Sequence, residues 1–233
     1  MNRENHHSVP AAALRDAMPV IAGYFPIAVA YGLTARNAGL SFFESLSVSI
    51  FVFAGASQFI AAGMIAAGSA AASIVLAVFL VNLRHIAMSL SLRHRFDKVP
   101  TILYPVIGFA ITDETFSIAS TKKKVTSSYM ILMSYPCYLS WVCGSGVGYL
   151  LGEILPQRIS QSAEVTLYAM FISLLVPQAK KYPPAAVVAL LAALCYLLLT
   201  YLKVIPGISI LVSVVAVAVV AALIIKDESV HES

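Results

Sequence analysis

Seven stretches of this 233-residue chain carry no charged side chain: Ala17–Ala35, Ser45–Leu83, Val99–Thr112, Val125–Gly152, Val165–Ala179, Tyr182–Leu202 and Val204–Ile225. A helix needs about 20 apolar residues to cross the hydrocarbon core of a bilayer. The second stretch is long enough for two passes, with Gly68-Ser69 at the turn. About eight hydrophobic helical segments follow, two of them marginal. Charged residues are only 11% of the chain and hydrophobic ones 60%, whereas a soluble domain is roughly a quarter charged. Such a chain cannot cover a water-facing surface. The expected fold is an all-α polytopic membrane protein. It forms one integral-membrane domain over residues 1–233, with polar tails at 1–15 and 226–233. The opening tail lacks the apolar core of a cleavable signal peptide.

The formal charge of +4 comes from small Lys/Arg clusters between apolar runs. That pattern orients membrane helices, and it offers no basic stripe with interleaved aromatics, so a nucleic-acid partner is excluded. Cys137, Cys143 and Cys195 lie in apolar runs without metal-ligand spacing. They read as small hydrophobic residues, with no metal site and no disulfide framework.

The segments are unusually broken. Pro19, Gly23, Pro26 and Gly32 interrupt the first, Gly55 and Gly63 flank Ser57-Gln58, and Pro105 and Gly108 precede Asp113. Pro177 ends a later segment and Pro206-Gly207 opens the last. Proline removes a backbone donor, and a break at membrane depth survives where the freed groups are buried in protein or line a wet cavity. Pro26 and Pro177 are therefore expected helix breaks. The stretch Gly23–Gln58 also resembles Trp141–Gln178 in its order of Gly-rich run, polar link and apolar run. This suggests an internal duplication of the kind transporters use.

The basic clusters constrain topology. If every segment crosses and the N-terminus is cytoplasmic, the loop Arg93-His94-Arg95-Phe96-Asp97-Lys98 falls outside, against the positive-inside tendency. If Ser41–Ala66 and Val99–Ala119 instead enter and return as broken, re-entrant pieces, that loop, Lys122–Lys124, Lys180-Lys181 and Lys226 all become cytoplasmic. Those two pieces carry the polar motifs.

Three polar interruptions stand out: Ala54-Gly55-Ala56-Ser57-Gln58-Phe59, Asn82-Leu83-Arg84-His85 and Thr112-Asp113-Glu114. Polar and ionisable groups at membrane depth are costly unless paired or hydrated, so each is a candidate site. Small residues at 54 to 57 admit a ligand or another backbone closely, and a helix starting there offers N–H groups to a carboxylate. Gly55, Ala56, Ser57 and Gln58 are thus either solute-binding residues or a helix-packing patch. Asn82 and His85 share a helical face and join them as candidates. Arg84 either snorkels to the interface or pairs with an acid. Counting 1.5 Å per residue from the 93–98 loop puts Arg84 within about 6 Å of the depth of Asp113, which predicts a pair with Asp113 or Glu114. An acid balanced between desolvation and a nearby cation can exchange protons in a transport cycle. Trp141 and most tyrosines read as interface or packing residues.

With these motifs in view the chain resembles the AzlC family, the larger subunit of bacterial branched-chain amino-acid exporters. The matching pieces are Gly23-Tyr24-Phe25-Pro26, Phe53–Phe59, Val81-Asn82-Leu83-Arg84-His85, Thr112-Asp113-Glu114 and Phe171-Ile172-Ser173-Leu174-Leu175, in order over residues 15 to 225. Pro177 departs from the small residue expected there. The resemblance implies export of L-valine and its relatives, and in some members L-methionine, across the bacterial cytoplasmic (inner) membrane with a small AzlD-like membrane subunit. It supplies no settled site residues. Competing readings are a channel or assembly subunit and an intramembrane hydrolase using Ser57 with His85, which would need an oxyanion hole. No nucleotide-binding fingerprint and no cofactor motif is present.

Overall fold

The computed structural model describes residues 9–96, 99–152 and 182–204 without interruption, and scattered positions within 172–180 and 209–221. Helix α1 spans Val9–Asn37. Helix α2 (Phe42–Phe51) opens with a capping box: Ser41 Oγ accepts from the Glu44 N–H, and the Glu44 carboxylate accepts from the Ser41 N–H. The chain then extends through Val52–Ala54 before α3 (Gly55–Ala66). Gly68, at φ +67°, makes the turn into α4 (Ala71–Arg93). Helix α5 (Leu103–Phe109) breaks at Ala110–Thr112, and α6 (Asp113–Ser120) follows. Helix α7 covers Ser127–Leu151 and α8 covers Pro183–Tyr201. The protein is an all-α membrane protein. Among the described residues the β structure is one isolated bridge, Phe96 to Val125.

Helices α1 and α7 run parallel in constant register. Cys137 Sγ lies near the Ala17 carbonyl, Ser140 Oγ donates to Ile21 O, and Gly144 packs on Phe25 and Ala28. A Cβ added at Gly32 would fall on the Ser145 carbonyl oxygen, and one at Gly148 on that of Val29. In a bilayer, where helices gain little from hiding apolar surface from water, such close backbone contact is a main source of association.

This packing corrects the expectation that Pro26 breaks the first segment, because α1 is continuous through Pro19 and Pro26. Pro26 leaves the Ala22 carbonyl without its usual donor. The α7 helix lies along that stretch and gives a hydroxyl to the adjacent Ile21 carbonyl at 3.1 Å. The N-terminal tail is also shorter than residues 1–15, since α1 begins at Val9 and already buries Ala13 fully.

Two helical hairpins enter this pair from opposite ends. Going along α2, contacts with α7 step from Tyr149 (at Leu40) to Ser145 (at Ser49) to Tyr138 (at Ile50 and Phe53). Then α3 returns, because Phe59 packs on Tyr31, whose hydroxyl reaches Ser45 O back in α2. The second hairpin climbs from Val106 (at Tyr135) to Phe109 (at Tyr138), and α6 descends from Thr112 and Glu114 (at Tyr24) to Lys122 (at Asp16 and Tyr129). The two tips meet where Phe53 contacts Phe109 at 6.3 Å between ring centroids. These are the two pieces expected to be broken.

The basic loops gather at one end of the molecule. Arg95 Nη1 donates to Lys122 O at 2.8 Å, the Val125 N–H donates to Arg95 O, and Lys122 Nζ lies 2.8 Å from Asp16 Oδ2. Leu40 and Tyr149 meet at the other end.

Polar residues share the core with apolar ones, and many large apolar residues face outward. Ser45, Ser49, Ser57, Gln58, Thr115, Ser134 and Ser145 are buried, while Val75, Phe79 and Leu90 of α4 and Leu190 and Leu197 of α8 are exposed. Hydrocarbon as solvent imposes this arrangement, because polar groups must be satisfied inside the protein. Among the described residues α1 and α4 are long and apolar enough to cross a membrane. The expected break at Pro177, the later half of the duplicated stretch and the tail at 226–233 lie outside the described residues.

Candidate functional site

Where the hairpin tips meet α1, α4 and α7 they leave a cavity. Its lining is Tyr24 of α1, Phe53–Ala56 of the first tip, Arg84 and His85 of α4, Thr112–Glu114 of the second tip, and Trp141 of α7. The space, counted to its open mouth, is about 380 Å³. The part of it open to the centre of a water molecule is about 30 Å³, enough for a couple of waters.

The two tips present different chemistry. At the first, Ala54 precedes α3 with φ −148° and ψ 81°, and no side chain caps the helix. Gly55 sits against the Trp141 ring so closely that a Cβ would be 2.5 Å from it. At the second, Thr112 Oγ1 accepts from the Thr115 N–H and Thr115 Oγ1 from the Thr112 N–H, a complete capping box. Asp113 and Glu114 then occupy the first turn of α6, where the positive end of the helix dipole favours acids.

Arg84 Nη1 lies 2.9 Å from Asp113 Oδ2, so the ion pair expected from matched depth is formed. Glu114 instead takes a hydrogen bond from the Tyr24 hydroxyl, which also lies 2.6 Å from Thr112 Oγ1. Tyr24 packs edge-on against both Phe53 and Trp141. Two buried donors on lining residues, Arg84 Nε and Trp141 Nε1, have no protein acceptor.

Of the residues singled out from sequence, Gly55, Ala56, Arg84, His85, Asp113 and Glu114 line the cavity. Ser57, Gln58 and Asn82 stand behind that lining. Ser57 Oγ donates to Ala54 O at 2.8 Å and accepts from Asn82 Nδ2 at 3.1 Å, which ties α3 to α4. Gln58 Nε2 donates to Ser49 Oγ, Ser49 Oγ to Ser145 Oγ, and Ser145 Oγ to Trp141 O. This buried ladder joins α3, α2 and α7. It also corrects the Ser57–His85 dyad, since the Ser57 hydroxyl is committed to Ala54 and Asn82.

Sequence reading missed Tyr24 and Trp141 as lining residues and Ser49 and Ser145 as ladder members. Trp141 is 2% exposed, so it is a core residue and not a membrane-interface anchor. The available signals were a tyrosine between Gly23 and Pro26, whose buried hydroxyl would need a partner, and a serine between Gly144 and Gly146.

The model of the family described as AzlC protein matches residues 19–155. The chain is 32% identical over 189 residues to the inner membrane protein YgaZ of Escherichia coli, covering 76% of each chain. It is 32% identical over 187 residues to a membrane protein of Archaeoglobus fulgidus, covering 78% of this chain and 82% of the relative. To the branched-chain amino acid transport protein AzlC of Bacillus subtilis it is 26% identical over 183 residues, covering 75% and 71%. No solved structure matches the chain.

Proposed function

This chain belongs to the AzlC family, a family of membrane transport proteins, and we propose that it is a secondary exporter of branched-chain amino acids. Its solutes are L-valine and its relatives and L-methionine, and it works with a small AzlD-like membrane subunit in the bacterial cytoplasmic membrane. It is not an enzyme, and the solute leaves unchanged. The observation that carries this reading is the sorting of charge around one cavity. The uncapped start of α3 lies on the first tip, and Glu114, with no cation paired to it among the described residues, lies on the second, while Arg84 and Asp113 answer each other. A free amino acid carries both complementary groups. Tyr24, Phe53 and Trp141 supply apolar surface for an aliphatic side chain.

The gathering of Arg95, Lys122 and the start of α1 at one end supports a cytoplasmic N-terminus and two hairpins that do not cross. Cysteine labelling at 94 and 123 from the inside, and at 39 and 69 from the outside, tests this topology. The transport reading is tested by efflux of labelled valine, methionine and lysine from cells co-expressing the chain and its candidate small subunit. Saturable loss of valine or methionine, without lysine, is the expected result. Equal efflux with and without the protein would overturn it.

A further inference from the structure

We infer that the two neighbouring acids have different duties: Glu114, held by Tyr24, receives the ammonium group of the solute, and Asp113 is the fixed counter-ion of Arg84. The inference rests on the amino-acid transport reading above. Asp113 already has its charge answered by a guanidinium at 2.9 Å, with both side chains about two-thirds buried. Drawing it away to a solute would leave Arg84 uncompensated in a partly dry site.

Glu114 is placed differently. Among the described residues no cation pairs with it, and its hydrogen-bond partner is the neutral Tyr24 hydroxyl. The charged and titratable groups around it are Asp113 on its own helix, Arg84 and His85 across the cavity on α4, Tyr24 on α1 and Cys137 on α7. Tyr24 engages Oε2, which leaves Oε1 for a solute in the cavity that Glu114 lines. The tyrosine is itself fixed by edge-on packing against Phe53 and Trp141 and by contact with Thr112. Its one proton cannot serve Thr112 and Glu114 together. The phenol gives it to the carboxylate, and its ring links the acid to the first hairpin tip through Phe53. Tyr24 is a positioning residue, and Glu114 is the residue that touches the solute.

The test uses proteoliposomes holding the chain with its co-expressed small subunit, and measures counterflow of labelled L-valine. Competitors are 2-hydroxyisovalerate, which lacks the amine, and isobutylamine, which lacks the carboxylate. Wild type should prefer valine over the hydroxy acid by about ten- to a hundredfold, the range for losing a hydrogen bond to a charged group. Glu114→Gln should raise KM for valine by about that factor and leave the hydroxy acid little changed, so the preference collapses. Glu114→Asp should restore part of it. Tyr24→Phe keeps the ring packing and should raise KM for valine several-fold at nearly unchanged maximal rate. Asp113→Asn should lower the maximal rate but retain the preference. Collapse in Asp113→Asn with retention in Glu114→Gln would reverse the assignment and overturn it. Retention in both would overturn it while leaving the transport reading intact. Absence of saturable exchange in wild type would sink the transport reading and this inference together.

Discussion

At the α2–α3 tip the backbone extends through Val52–Ala54 and enters α3 with no side-chain hydrogen bond capping the helix. At the α5–α6 tip Thr112 and Thr115 close the helix start, and Asp113 and Glu114 follow at once. Both tips are breaks in apolar segments, both bury their turn, and both face the same cavity. They differ in what is left unspent. The first leaves donors and is held by a ladder of neutral hydroxyls and amides behind it. The second caps its start with Thr112 and Thr115 and presents Glu114 with no cation paired to it among the described residues. Two like helix ends thereby acquire opposite polarity, through a few side chains rather than through backbone geometry.

The most disruptive way to break the comparison is Gly55→Val. Its Cβ would lie 2.5 Å from the Trp141 ring, which is boxed in by Tyr24 and Tyr31. A loss of about 3 kcal/mol is expected, the upper part of the overpacking range. Trp141 is the only tryptophan, so thermal unfolding followed by its fluorescence reads the effect directly.

Next is the Arg84–Asp113 pair. Because it is roughly a third exposed, Arg84→Ala should cost on the order of 1–2 kcal/mol, less than a fully buried pair. Adding Asp113→Asn should recover part of that loss, and a coupling near zero in the double-mutant cycle would deny the pair. A smaller effect is expected from Thr112→Val, which opens the capping box at a cost of about 1 kcal/mol.

The sharpest test is also the mildest. Ala54→Ser places a capping hydroxyl at the start of α3, so thermal stability should rise by a few tenths of a kcal/mol, about a third of a usual cap, while KM for valine increases. Unchanged KM would mean that the open helix start has no part in binding.

Much of this arrangement was legible in the sequence where the information is local. Gly68 marked the turn between α3 and α4, the amide and acid motifs marked both broken segments, and helical rise from a short loop placed Arg84 opposite Asp113. What was not legible depends on partners remote in the chain. Pro26 reads as a break until α7 is laid against it. Ser57 and Gln58 read equally as ligand groups or as a packing patch, and Asn82 as a ligand group, because nothing nearby in sequence announces Ser49, Ser145 or their pairing. Tyr24 looked like one packing tyrosine among eleven, and its role depends on residues 88 and 90 positions away.

The α1–α7 contact joins residues 119 positions apart. During synthesis from the N-terminus, α1 through α6 therefore emerge before the helix that completes both tips. Until the ribosome has passed residue 151, the first tip lacks Trp141 and Ser145, and α1 lacks the helix that packs along its proline-containing stretch. Arg84, Asp113 and Glu114 must spend that interval in water, in the insertion machinery or on each other. The interior of this protein is finished late, and its early helices have to wait in the membrane half-assembled.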